Sequence, residues 1–347
     1  MAEEDMKVKE LGEFSLIERL VEVLGASARG TGQGVIRGIG DDAAVLQGTA
    51  GHRLLVSCDM LLEGVHFNWD FVSPEQLGWR ALAANLSDIA AMGGRPRWVL
   101  VSLGLPGDTP VKKVEGIYRG ISLLANEFGV TIVGGDTTNS PRGIVLDITV
   151  LGEALRNMVA YRSSAREGDL ILVTGELGRS AAGLACLQQK VNPDDSVKEV
   201  AQAYLTPCPR VREAALLMRS GLVRALNDIS DGLASETNEI AAASGLGAVL
   251  VEKRIPLGSA TKNVAGILDH DPLHWALFGG EDFELLLTIP GGKGAAAQVR
   301  QLKRTLQRTC GTPLSVIGRM VRADEGIKLE KKGRKAEKLI GRGYEHF

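Results

Sequence analysis

Apolar and polar positions along the chain fall into two rhythms. Helical spacing of apolar residues predicts a first helix over Phe14 to Leu24 and a longer one opening at Ser73-Pro74-Glu75-Gln76. That opening combines a serine cap, proline at the first helical position and glutamine three residues after the cap. Gly93-Gly94 followed by Pro96 supplies the matching stop. Between these signals Leu82, Leu86 and Ile89 form a core face. Ala81, Ala84, Asn85 and Asp88 form an adjacent stripe of small side chains that lets another segment approach.

Further helices are expected from a Thr109-Pro110 cap to Phe128, over Ser180 to Gln189, from Pro207 to Arg219, and from the Asn227 to Gly232 segment to about Ala243. Short apolar runs predict strands at Leu54 to Ser57, Trp98 to Leu103, Val130 to Val133, Ile144 to Leu151, Leu170 to Val173 and Phe283 to Ile289. A further helix, a strand and a basic tail finish the chain. Residues 156 to 168 are polar and aperiodic, which suggests two domains, 1–155 and 156–347. Mixed strands and helices in both halves make the fold class α/β or α+β.

Length supports that division, because 347 residues suffice for two full cores. With 44% hydrophobic and 24% charged residues the composition is that of an ordinary globular protein, and 43 glycines point to many tight turns. A net charge of −2 gives no reason to expect nucleic acid or an anionic membrane as partner. The N-terminus is acidic and no apolar run is long enough for a bilayer, so neither a signal peptide nor a membrane span is expected. Cys58, Cys186, Cys208 and Cys310 form no Cys-x-x-Cys pair and read as free thiols of a reducing cytoplasm.

Chemistry enters with the acidic residues. Asp41, Asp42, Asp59, Asp88, Asp136, Asp228, Asp231, Glu281 and Asp282 all lie at predicted element ends, most beside Gly, Ser or Thr and almost none beside lysine. Asp88 also lies near a helix C-terminus, where the macrodipole disfavours negative charge by up to about 1 kcal/mol. A lone aspartate there is either solvated or paired with a distant arginine. So many carboxylates cannot converge without cations, because like charges raise one another's pKa. Oxygen donors select Mg²⁺ or Mn²⁺ over zinc, and Mg²⁺ held by a few carboxylates normally completes its shell with phosphate oxygens and water. A nucleotide is the implied partner.

Competing motifs fail. Gly38-Ile39-Gly40-Asp41-Asp42-Ala43 formally contains the dinucleotide fingerprint, but two aspartates occupy the place where a pyrophosphate needs bare amides. There is no P-loop, no protein-kinase signature, no G-x-S-x-G elbow, and the five histidines lack zinc spacing.

Seven segments taken together carry a resemblance: Gly12 to Ile17, Gly38 to Val45, Asn85 to Gly93, Gly134 to Thr138, Asp228 to Leu233, Gly279 to Leu285 and the terminal Gly343-Tyr344-Glu345-His346-Phe347. The chain resembles the thiamine-monophosphate kinase family from end to end. That resemblance implies ATP-dependent phosphorylation of thiamine monophosphate. It also implies a homodimer in which the N-terminal sheet joins its twin in a barrel spanning both subunits, beside a C-terminal α/β domain. Carried over by position, Asp42, Ser57, Cys58, Asp59, Asp88, Asp136, Asp228 and Asp231 would hold several Mg²⁺ ions, with Asp88 and Asp136 central. Tyr118, Gly135, Asp136, Arg162 and Ser230 would contact ATP, and His66, Glu281 and Tyr344 the thiamine phosphate. Cys58 stands where related enzymes often carry threonine, so the ligand there is either its backbone carbonyl or its side chain. Around Gly341 an aromatic residue of the family is replaced. No covalent intermediate is implied, since both donor and acceptor are phosphates and a metal cluster removes their mutual repulsion.

Overall fold

The computed structural model describes residues 35–37, 41–331 and 336–339. The predicted first helix, Gly38 to Gly40 and Tyr344 lie outside them.

The Ser73 signal behaves as its chemistry dictates. Helix α1, Pro74–Ala91, opens with a reciprocal capping box: the Gln76 N–H donates to Ser73 Oγ at 3.2 Å and the Ser73 N–H to Gln76 Oε1 at 2.8 Å. At its other end the Gly93 and Gly94 N–H groups reach back to the Ala90 and Ile89 carbonyls, closing a Schellman motif with Gly93 at φ +71°. Twelve of the eighteen residues are buried, because both faces of the helix are covered.

One cover is a six-stranded sheet in the order β1-β2-β3-β6-β4-β5. Its strands are β1 Val35–Arg37, β2 Ala44–Gln47, β3 His52–Leu62, β4 Arg95–Leu105, β5 Thr131–Asn139 and β6 Val145–Leu155. All neighbours are antiparallel except β4 and β5. Helix α2, Val111–Phe128, packs on α1 at a crossing that requires glycine on each side. A Cβ on Gly78 would lie 1.9 Å from the Ile117 carbonyl oxygen, and one on Gly120 would lie 1.9 Å from that of Glu75. Thr109 does not cap α2; Pro110 occupies that position and no side-chain bond is made.

The other cover comes from the second half. There a seven-stranded sheet runs β13-β12-β9-β11-β7-β10-β8. It is built from β7 Leu170–Thr174, β8 Leu226–Asp228, β9 Leu246–Val251, β10 Leu285–Ile289, β11 Leu314–Arg322, β12 Ile327–Glu330 and β13 Glu337–Lys338. Around it lie α3 Arg179–Gln188, α4 Asp195–Leu205, α5 Val211–Arg219, α6 Leu233–Ser244, α7 Ser259–Ile267, α8 Pro272–Phe278 and α9 Ala295–Thr309. Helix α1 packs against β8, α4 and α5, and one buried cluster runs from Leu82, Leu86 and Ile89 through Ala214 and Leu217 to Leu226 and Leu285.

Several boundaries differ from the sequence pattern. β3 continues through Ser57, Cys58 and Asp59 because β6 supplies their ladder partners, Val150, Thr149 and Ile148, beyond the point where the pairing with β2 stops at Val56. β5 continues through Gly134-Gly135, which the pattern treats as a terminus; a Cβ on Gly135 would sit 1.8 Å from the Val101 carbonyl oxygen, so the glycine permits close pairing. The strand expected at Phe283 begins at Leu285, and the helix expected at Pro207 begins at Val211. β1, β2, α4, β8, β9, α7, α8, β12 and β13 have no counterpart in the pattern reading. Among the described residues of one chain the first sheet is open and forms no closed barrel.

Candidate active site

Four elements deliver carboxylates to one place where the two halves meet. The turn before β2 brings Asp42, β3 brings Asp59, α1 brings Asp88 and β8 brings Asp228. Oxygens of Asp42, Asp88 and Asp228 lie within 4.8 Å of one another. Neighbouring hydroxyls orient them: Ser57 Oγ donates to Asp88, and Ser87 Oγ donates to Asp228 at 2.5 Å. Ser57 and Asp59 flank Cys58 on β3, so strand alternation turns the cysteine to the opposite face. There its Sγ donates to Asp147 at 3.2 Å, away from the clustered oxygens.

The electrostatics follow from burial and crowding. Burial first, then the charges of Asp59, Asp228 and Asp42, push the Asp88 carboxyl well above the usual carboxylate range. Burial and then Asp42 do the same to Asp228. Burial is also the main cause that raises Asp59 to about 6 and raises Asp42. Among the described residues one arginine answers this charge: Arg162 Nη2 lies 2.7 Å from Asp42 and 3.2 Å from Glu239, and Arg162 Nε donates to Asn227 at 3.2 Å. Burial opposes the Arg162 charge, but Asp42 and Glu239 outweigh it and its pKa is raised. One guanidinium cannot balance so many carboxylates. Asp42 Oδ2 is moreover buried without a hydrogen-bond partner. An all-oxygen donor set with an orphaned carboxylate oxygen fits a hard divalent cation.

The remaining residues singled out from sequence are distributed around this centre. Asp136 lies on exposed β5, its Oδ1 accepting the Thr137 N–H at 2.8 Å, and it is not among the charges that raise Asp88. The Asp231 N–H donates to Glu236 Oε1 at 2.8 Å, and Ser230 Oγ donates to the same oxygen at 3.4 Å. Tyr118 is half-buried on α2 against the core, and burial raises its pKa. Gly135 sits in β5 beside Val101. His66 Nδ1 accepts the Leu62 N–H at 2.9 Å. Glu281, at φ +63°, receives two bonds from Arg80 Nη2, at 2.8 and 2.7 Å.

Ser87, Asn227, Glu236 and Glu239 escape the sequence reading, as do Arg80 and Tyr204. For Ser87 a signal was present, a hydroxyl directly preceding a helix-end aspartate. Arg80 also had one, since it lies two turns before Asp88 on the same helix.

Both halves of the chain are similar to known proteins. Residues 40–154 match the family described as AIR synthase related protein, N-terminal domain, and residues 166–329 the corresponding C-terminal domain. The thiamine-monophosphate kinase of Bacillus subtilis (strain 168) is 37% identical over 324 residues, covering 89% of this chain and 93% of that one. That of Aquifex aeolicus (strain VF5) is 35% identical over 286 residues, 82% of this chain and 88% of the other. The solved structure described as AaThiL complexed with AMPPCP and TMP superposes with a TM-score of 0.82 at 32% identity, covering 99% of both chains. The paired domain matches, the identity along nearly the whole chain and the shared fold together make this protein a member of the thiamine-monophosphate kinase family.

Proposed function

We propose that the protein transfers the γ-phosphoryl group of ATP to thiamine monophosphate, giving thiamine diphosphate, with Mg²⁺ held by Asp42, Asp88 and Asp228. The observation that carries this reading is the cluster of those three carboxylates, drawn from three elements and both halves of the chain and left with excess negative charge. Its support from outside the chain is the likeness to thiamine-monophosphate kinases and to a homologue complexed with AMPPCP and TMP. When bound, Mg²⁺ supplies charge neutralisation for the two phosphates that must approach each other.

The chain's own residues do the rest. Ser57 and Ser87 fix one oxygen each of Asp88 and Asp228. Arg162 anchors Asp42 and, with Tyr118, Gly135, Asp136 and Ser230, forms the proposed ATP side. Ser57, Cys58, Asp59, Asp136 and Asp231 complete the proposed metal-binding set, Cys58 through its backbone because its thiol faces away. His66 and Glu281 form the acceptor side, with Tyr344 assigned there by resemblance alone. No general base is needed, because a phosphate acceptor with a second pKa of about 6 is already largely ionised near neutrality.

We also propose a homodimer, a domain division at 155/156 and a cytoplasmic location. Exposed apolar residues of the first sheet support the dimer: Met60 and Leu62 on β3, Leu100 on β4 and Val133 on the exposed β5. Four free cysteines fit a reducing compartment. A phosphoryl-transfer assay with ATP, Mg²⁺ and a panel of acceptors tests the function. Thiamine diphosphate should form from thiamine monophosphate and not from free thiamine. Equal turnover of unphosphorylated thiamine would refute a site built for an anionic acceptor.

A further inference from the structure

Arg80 is the most enclosed charged side chain near the acceptor side, 2% exposed on α1, and neither the acidic cluster nor the Arg162 network uses it. Its contacts converge on the two loops that the acceptor reading employs. Nη2 grips both oxygens of Glu281, at 2.8 and 2.7 Å. Nη1 donates to the His66 carbonyl oxygen at 3.3 Å, and the Tyr204 hydroxyl donates to the same oxygen at 3.4 Å. The guanidinium carbon lies over the Tyr204 ring, 4.0 Å from its centroid, a cation–π contact.

The Glu281 loop needs such a grip. Glu281 and Phe283 both have positive φ, +63° and +49°, a region that side chains other than glycine rarely adopt. Backbone bonds tie the loop to the nucleotide-side turn, from the Glu281 N–H to the Ser230 carbonyl at 2.7 Å and from the Phe283 N–H to that of Ile229 at 2.9 Å. Gly280 admits that closeness, since a Cβ there would lie 2.3 Å from the Ser230 oxygen. Burial is one-sided. The arginine is sealed beneath, while the Glu281 side chain is 36% exposed. A carboxylate offers about four lone-pair positions and the arginine occupies only some of them, so the exposed side can accept from a ligand N–H or lie beside a cationic ring.

We propose that Arg80 is a positioning residue for the acceptor: it holds the Glu281 carboxylate and the His66 loop, which come from different halves of the chain, in one fixed relation to thiamine monophosphate. This rests on the acceptor reading of His66 and Glu281. Steady-state kinetics of wild type, Arg80→Met and Arg80→Lys, with each substrate varied in turn, tests it alongside thermal melts. Arg80→Met should raise KM for thiamine monophosphate by about tenfold or more while KM for ATP stays within about twofold. Lysine keeps the charge but loses the fork, so Arg80→Lys should fall between the two. Adding Glu281→Gln to Arg80→Met should cost little more, because the two residues act as one unit.

A merely structural arginine predicts a lowered melting temperature and equal damage toward both substrates, and that result would overturn the proposal. So would an Arg80→Lys protein indistinguishable from wild type, a comparison that remains available if Arg80→Met does not fold. A wild type that turns over thiamine monophosphate beside an Arg80→Met protein of unchanged KM sinks this inference alone. A wild type that does not phosphorylate thiamine monophosphate removes it together with the functional reading.

Discussion

Two groups of buried carboxylates in this molecule have opposite fates. In one, Glu284, Glu213 and Asp169 of the second half find cations supplied by the chain: Arg210 grips Glu284 at 2.8 and 2.5 Å and reaches Glu213 at 3.4 Å, and Arg224 lies 2.5 Å from Asp169. Thr174 and Thr312 hydroxyls add a bond each to oxygens that Arg210 also contacts, Oε2 of Glu284 and Oε1 of Glu213. Where the halves meet, Asp42, Asp59, Asp88 and Asp228 crowd together with Arg162 as their nearest described cation, and neighbouring carboxylates, Asp41 for Asp42 and other members of the cluster for the rest, add to burial in raising their pKa values. Burial alone therefore does not mark a site. The mark is charge that the chain leaves uncompensated, since a paired carboxylate is finished as structure and an unpaired group must recruit its partner from solution.

Substitutions at the two places should separate them. The largest effect is expected on turnover: Asp88→Asn, assayed with ATP, Mg²⁺ and thiamine monophosphate, should lower kcat by about a thousandfold or more, the scale of losing a metal clamp worth several kcal/mol. Near-wild-type turnover would erase the distinction. Arg210→Met attacks the other group and should act on folding. It leaves Glu284 buried without its cation, at a cost of about 3–5 kcal/mol. Denaturant unfolding should give the same loss in EDTA and in Mg²⁺ with ATP, and a loss that vanished with Mg²⁺ would count against a purely structural role.

Asp282 sharpens the boundary, because two backbone amides answer it instead of a charged side chain. The Gly178 and Ser180 N–H groups donate to it at 2.6 and 3.1 Å, yet burial still raises its pKa from 3.8 to about 7. Between those values the native state keeps a proton that the unfolded chain has lost. Its contribution to stability is thus full below pH 3.8 and declines as pH rises, levelling off above about 7. In EDTA, Asp282→Asn should remove a slope of at most about 1.4 kcal/mol per pH unit across that window. Parallel stability curves for the two proteins would contradict the assignment.

Legibility in the sequence divides along similar lines. The capping box at Ser73, the stop at Gly93-Gly94 and the small stripe ending in Asp88 are local signals, and the structure realises each of them. The recurrence of acids at Gly-, Ser- and Thr-flanked element ends pointed to the cluster before any geometry. Its partners were not legible. Arg162 meets Asp42 across 120 residues, Ser87 meets Asp228 across 141, and Arg80 meets Glu281 across 201, and no local pattern encodes such pairings. Asp136 illustrates the converse, because its Gly-Gly-Asp setting suggested a strand end while the strand runs on to Asn139 with the aspartate on its exposed edge. α4 and β9 had readable signals. Asp194 caps Val197, Val200 and Tyr204 at helical spacing, and an apolar run follows directly on Gly245.

The most direct test of the central claim is a pair of thermal melts, wild type and Asp88→Asn, both in EDTA. Asparagine can still accept the Ser57 hydrogen bond and removes a charge that Asp42, Asp59 and Asp228 repel. The account predicts a melting temperature for Asp88→Asn equal to or slightly above that of wild type, with the order reversing when Mg²⁺ and ATP are added. A large drop in EDTA would mean that Asp88 is a structural partner like Glu284, and would contradict its place in a cation site.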